Sequence, residues 1–322
     1  MGRGDRRRRS RRGDGAGDGG PDTSGPVVGV YEIDTGTCEL VPDRFTPHGW
    51  VLKVNGVESS HVDLDDPRRL DFEYMRWFAA LIEPRWPAEH RLRALHLGGG
   101  GCSMARYLAA GYPEARQVVV EIDAAMAVLV RGWFDLPRAP RLRLRAGEAR
   151  AVLESLREDT RDVIIRDVFS GAVTPEPLTT AECTAEAVRV LSPGGVYMVN
   201  CGDTRDRGTA RRETATMLQA FEHVVVISDP AMLAGRRTGN IVIAGSDVPL
   251  GESPDTMRAL LRGAVPARMW AGERVRRFAS GAPVLRDATT AEGPGTQEGP
   301  GGQEGAPAAA EAVTREGTTG RG

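Results

Sequence analysis

Several features that would settle the class of this protein at a glance are missing or scarce. Four cysteines occur in 322 residues, Cys38, Cys102, Cys183 and Cys201, widely spaced. None stands in a C-x-x-C pair, so neither a zinc site nor a disulfide framework is indicated, and a reducing, cytoplasmic setting fits best. The formal net charge is only −2, which gives no global electrostatic case for a nucleic-acid partner. No apolar run approaches the roughly 20 residues of a membrane span. The opening MGRGDRRRRSRRGDG is charged and no apolar h-region follows it, so it does not read as a secretory leader. The five histidines, His48, His61, His90, His96 and His223, are scattered, and nothing has the spacing of a metal site. No internal repeat is visible.

What is present divides into four stretches. Residues 1–25 are rich in Arg and Gly, and 288–322 in Gly, Glu and Thr. Neither can bury enough apolar surface to offset its chain entropy, so both are expected to be disordered tails. Residues 26–66 read as a small β domain. Within it GWVLKVNGVESSHVDL carries Asn55-Gly56 between alternating runs, the signature of a type I′ hairpin. The segment PRRLDFEYMRWFAALIE then predicts a helix with Pro67 in its first turn. Leu70, Tyr74, Trp77, Phe78 and Leu81 recur at helical spacing and are expected to face the core.

Residues 67–287 read as a Rossmann-like domain. From Leu92 onward short β-branched runs alternate with amphipathic segments: LRALHLG, QVVVEID, RLRLRAG, DVIIRDVF, GGVYMVNC, HVVVISD and NIVIAGSD. This predicts an α/β fold with a mainly parallel sheet covered by helices on both faces. The last two runs are too close for a crossover helix and should pair antiparallel. Seven strands ending in such a hairpin make a class I methyltransferase-type sheet.

In such a sheet the ligand lies beyond the carboxyl ends of the strands, at the switch in strand order. Gly98, Gly99, Gly100 and Gly101 fall there, after the first strand and before a helix. Their backbone can approach a ligand closely and leave helix N–H groups free. Neither register completes G-x-G-x-x-G, because Ser103 or Met104 occupies the third position, which argues against a nicotinamide dinucleotide. Glu121 ends the second strand, where a carboxylate can accept both hydroxyls of a ribose. Glu148 follows the third strand, placed to accept from an adenine amino group, and Asp167 follows the fourth, beside the glycines. Three acids at successive strand ends around one glycine loop point to a nucleoside site. Asp123 is suited to cap the next helix, Cys102 to be a small wall residue, and His96 to pack inside its strand. His61 lies in the hairpin that would roof the site, a position for substrate contact.

Together LHLGGGGCSMARYL, VVVEID, RAGEAR, DVIIRDVFSG and VRVLSPGGVYMVN resemble the spermidine synthase family, the polyamine aminopropyltransferases. The resemblance spans roughly residues 50–245 and includes the hairpin KVNGVESSHVD. It implies a small N-terminal β domain before a seven-stranded Rossmann domain, often as a homodimer. It also implies transfer of an aminopropyl group from decarboxylated S-adenosylmethionine to putrescine or a similar amine. By that resemblance Gly98–Gly101 line the nucleoside, Glu121 holds the ribose, and Glu148 replaces the adenine-contacting Asp. Asp167 is then the base that deprotonates the attacking amine, with no metal required.

Three positions depart from the pattern. Gly101 stands where GGGDGG has its Asp, Ser170 replaces the second Asp of DSSDP at the substrate loop, and Phe72 replaces a catalytic Tyr, for which Glu73 or Tyr74 could compensate. Loss of a carboxylate at Gly101 would remove a barrier to ordinary S-adenosylmethionine. The expected donor is therefore S-adenosylmethionine or its decarboxylated form. Two other readings stay open: an S-adenosylmethionine-dependent methyltransferase, and a non-catalytic nucleoside-binding regulator.

Overall fold

A computed structural model describes residues 25–263 and 265–288. The tails expected at 1–25 and 288–322 lie outside the described residues, apart from Gly25 and Ala288. The described residues open with an antiparallel four-stranded sheet, β1 (Gly29–Ile33), β2 (Gly36–Pro42), β3 (Gly49–Val54) and β4 (Val57–Asp63), in sequential order. The β3–β4 turn has Asn55 at φ 51° and Gly56 at φ 80°, the left-handed pair that a type I′ turn demands. The Asn55 amide ties this turn to the neighbouring hairpin by accepting from Thr37 N at 3.0 Å and donating to Thr35 O at 3.1 Å.

Helix α1 runs Glu73–Ile82, six residues later than Pro67 suggests. Asp63 and Asp66 intervene. Asp63 Oδ1 accepts from the backbone N–H groups of Asp65 and Asp66, and Asp66 Oδ1 accepts from that of Arg68. Such side-chain turns compete with helical hydrogen bonding and delay the helix start. The expected core face is nonetheless buried: Leu70, Tyr74, Trp77, Phe78 and Leu81 all belong to one apolar cluster.

The larger sheet follows as β5 (Arg93–Leu97), α2 (Ser103–Gly111), β6 (Arg116–Glu121), α3 (Ala124–Trp133), β7 (Leu142–Ala146), α4 (Ala149–Glu154) and β8 (Arg161–Arg166). It continues with α5 (Ala181–Val190), β9 (Leu191–Asp203), α6 (Gly208–Ala220), β10 (His223–Ser228), α7 (Pro230–Leu233) and β11 (Gly239–Ser246). The last elements are α8 (Pro254–Leu261), β12 (Arg268–Ala271) and α9 (Glu273–Ala279). Strand order is β12-β10-β11-β9-β8-β5-β6-β7. Strands β5 to β9 are parallel, and β10 and β11 pair antiparallel as expected. The sheet has eight strands rather than the expected seven. The addition, β12, pairs with the edge of β10 over four residues, too few for any alternation to register in the sequence.

The order reverses between β8 and β5, because β6 lies on the far side of β5. The ends of β5, β6 and β8 therefore surround one crevice. The two sheets are joined at its rim. Asp123 caps α3 through Met126 N at 2.7 Å, and its other oxygen accepts from Thr35 N and Oγ1, each at 2.8 Å. Strand β4 is stitched to the start of α2: Ser103 Oγ donates to His61 O at 2.7 Å, and Arg106 Nη1 to Asp63 O at 2.6 Å. Among the described residues no helix is long and apolar enough to cross a membrane.

Candidate active site

The glycine loop is shaped by contacts that leave no room for side chains. Gly98 has φ 89°, and a Cβ there would lie 2.2 Å from the carbonyl oxygen of Asp167. Gly99 N and Gly100 N donate to Glu121 Oε2 at 3.0 and 3.2 Å. Gly101 N donates to Ser60 Oγ at 2.8 Å. Glu121 is thereby held at the loop, with its second oxygen only 3.3 Å from Asp123 N. Cys102 closes the loop at φ 60° as the first residue of the α2 cap. Its thiol is pushed up to about 12, by burial first and by Glu121 second, so it is inert as a nucleophile.

Gly101 is closely enclosed by β4. A Cβ there would meet Ser60 Cβ at 2.9 Å and Val62 Cγ2 at 3.2 Å. The absence of a side chain at Gly101 is tied to close packing of β4. Gly101→Asp is expected to cost about 1–3 kcal/mol by overpacking, read as a lower melting temperature. Adding Ser60→Gly should recover part of that loss.

Asp167 follows β8 and is gripped from two elements. Tyr74 Oη donates to Asp167 Oδ2 at 2.8 Å, and Asn200 Nδ2 to Oδ1 at 3.0 Å. Burial raises the Asp167 carboxyl above the usual carboxylate range, opposed by the hydrogen bonds from Asn200 and Tyr74 and by Arg166. Burial and the adjacent carboxylate hold the Tyr74 phenol well above its usual value. With its amide nitrogen on Asp167, Asn200 keeps Oδ1 buried with no hydrogen-bond partner among the described residues. An orphaned acceptor beside a carboxylate is a place for an incoming N–H group.

A chamber of about 230 Å³ opens from Tyr74 and is also lined by Asp71, Phe72, Glu73, Trp77, Arg237 and Asn240. Phe72 stacks on Tyr74 with ring centroids 5.9 Å apart. Asn200, Asp71 and Arg237 went unread in the sequence. Asn200 had a signal, a polar residue ending the core run VYMVN next to the switch point. Asp71 and Arg237 had none, since the chain comes together around the chamber only on folding.

The other expected residues fall as follows. His61 is buried with Nε2 3.0 Å from Asp43 Oδ2, and it is absent from the chamber wall. His61 thus pairs with a carboxylate of the β2–β3 connection. Glu148 is exposed and caps α4, accepting from Arg150 N at 2.9 Å and Ala151 N at 2.7 Å. Ser170 is exposed in a short bridge with Val173 and lines neither Asp167 nor the chamber. Ile122, beside Glu121, is 62% exposed, an apolar side chain presented at a strand end where water would otherwise disfavour it. His96 is buried and held by Gln117 at 2.9 Å. Among the described residues no group of three His, Cys, Asp or Glu gathers as a metal site.

No family model matches the sequence. The polyamine aminopropyltransferase of Vibrio vulnificus is 32% identical over 148 residues, covering 44% of this chain and 48% of that protein. That of Chromobacterium violaceum is 30% identical over 170 residues, covering 52% and 62%. The chain thus spans about half the length of the first of these relatives. The crystal structure of a probable spermidine synthase from Corynebacterium glutamicum is 48% identical, covers 84% of this chain and 100% of that one, and superposes with a TM-score of 0.78. With the fold, the glycine loop and a relative matched along its whole length in agreement, the chain belongs to the spermidine synthase family.

Proposed function

We propose that the protein transfers an aminopropyl group from decarboxylated S-adenosylmethionine to an amine seated in the chamber beside Tyr74. The observation that carries this reading is the placement of Asp167, held by Tyr74 and the orphaned Asn200, where Tyr74 also lines an acid-bearing chamber.

The chemistry asks little more of the chain than positioning and one proton transfer. An alkylammonium has no lone pair, so it must lose a proton before it can attack. Asp167 takes that proton, and Asn200 Oδ1 accepts from a remaining N–H, which aims the nitrogen. The amine then attacks the CH₂ next to the sulfonium in line. The new C–N bond forms as the C–S bond breaks, and the bonding pair returns to sulfur as a neutral thioether, methylthioadenosine. Loss of the sulfonium charge drives the step, and alignment supplies much of the rate. On the donor side Glu121 is the ribose acceptor and Gly98–Gly101 the close-approach backbone. Ile122 offers an apolar face to the adenine, and Glu148 retains lone pairs for its amino group. On the acceptor side Asp71 and Glu73 replace the water around the second ammonium, supplying carboxylates that the departures at Gly101 and Ser170 took away.

The test is incubation with each donor and a panel of linear amines, separating methylthioadenosine from S-adenosylhomocysteine by chromatography. Methylthioadenosine formed only from the decarboxylated donor is expected. S-adenosylhomocysteine would instead establish methyl transfer, and tight nucleoside binding without product would make the protein a regulator.

A further inference from the structure

The chamber wall holds a cation that an amine-binding site has no evident use for. Arg237 sits in the β10–β11 connection, packed against Gly239. Its Nη2 lies 3.8 Å from Glu73 Oε2, a loose pair, and its Nε lies 3.2 Å from Asp229 Oδ2. Asp229 is buried. Its Oδ1 caps α7 by accepting from Ala231 N at 2.8 Å and Met232 N at 3.0 Å. Its Oδ2 has no hydrogen bond among the described residues. Arg237 is the ion-pair partner of that buried carboxylate, and withdrawing it would strand the charge. The guanidinium is therefore anchored where it stands, although its side chain is 46% exposed.

Asp71, Glu73, Tyr74 and Arg237 line the same chamber, and Tyr74 links it to Asp167 by its hydrogen bond. Arg69 adds a further, exposed cation 3.5 Å from Asp71 Oδ1. An acceptor with one ammonium beyond its reacting nitrogen finds its counterions at Asp71 and Glu73. A longer acceptor brings another ammonium into the chamber that Arg237 shares with these two carboxylates, and there like charges meet at short range in a half-dry site.

We infer that Arg237 is a specificity-determining residue that confines the acceptor to linear diamines and rejects triamines. This rests on the aminopropyl-transfer reading above. The two can be separated by measuring kcat/KM for a linear C4 diamine and a linear triamine in the wild type, Arg237→Gln and Arg237→Lys. The wild type should favour the diamine. Arg237→Gln should raise the triamine-to-diamine ratio of kcat/KM by at least about tenfold, chiefly through the triamine KM. Arg237→Lys, which keeps the charge, should preserve the preference. Because Arg237→Gln strands Asp229, the double variant Asp229→Asn/Arg237→Gln is measured beside it; the introduced asparagine can still cap α7. Turnover of both amines with an unchanged ratio in the double variant, or a wild-type preference for the triamine, overturns the role of Arg237 alone. No methylthioadenosine from the wild type with either amine overturns the transfer reading itself.

Discussion

Asp167→Asn is expected to lower turnover by about 10²–10⁴-fold, the usual contribution of a general base, while leaving nucleoside affinity nearly unchanged. Asparagine keeps the shape. Its Oδ1 can still accept from Asn200, and its Nδ2 can donate to Tyr74 Oη, so the loss isolates proton transfer from geometry. The pH behaviour follows from the direction of the Asp167 shift. The base must be ionised, so kcat/KM should rise with pH through a value above the ordinary carboxylate range; in Asp167→Asn that limb should disappear.

Stability moves the opposite way. A carboxyl whose folded pKa is raised stabilises the fold below its unfolded pKa, about 3.9 for Asp, and that contribution is lost as pH rises through the folded value. At neutral pH the ionised group is a cost that burial imposes. Asp167→Asn should therefore melt no lower than the wild type at neutral pH, and any gain should vanish toward pH 4. Melting curves at the two pH values, beside single-turnover assays, check both halves. Full activity in the variant would remove Asp167 as the base.

The largest effect on folding is expected one residue away. Arg166 is 1% exposed and Glu213, on α6, is 3% exposed, and they pair at 2.6 Å. Arg166 Nη1 also donates to Leu178 O at 2.8 Å. Among the described residues Arg166 Nε, Glu213 Oε1 and the Tyr197 hydroxyl are buried without partners, so the network has no spare hydrogen bonds with which to absorb a loss. Glu213→Ala leaves a guanidinium charge in the core and should cost about 3–5 kcal/mol. For a chain of this size that is roughly five to nine degrees in melting temperature. The double change Arg166→Met/Glu213→Leu removes both charges and should restore most of the stability, since a well-packed apolar pair can equal a buried ion pair. Activity need not return with it. Arg166 leads directly into Asp167 and adds a positive charge that lowers the base's pKa, so the rescued variant should show its kcat/KM limb moved to higher pH.

Some of this was legible before folding because the information is local. Alternation along VVVEID or NIVIAGSD is a two-residue period, and Asn55-Gly56 states its own turn type. Helix caps are local as well, and Asp123 caps α3 as its position suggests. The strand-end rule then carried Glu121 and Asp167 to one crevice from topology alone. Local signals also misled where two local devices compete. Pro67 looks like a helix start, but the side-chain turns at Asp63 and Asp66 take the backbone N–H groups first.

What the sequence determined by itself is the order of strands and helices, the place of the glycine loop, and the strand ends at which acids would gather. These depend on periodicity and turn chemistry, which act over a few residues. The tertiary structure alone decided which groups meet. Tyr74 reaches Asp167 across 93 residues, Asn200 reaches it across 33, and Ser60 closes on Gly101 across 41. Arg237 stands between Glu73 and Asp229 for the same reason. Such contacts depend on the packing of whole elements, with directions and distances that no period in the chain encodes.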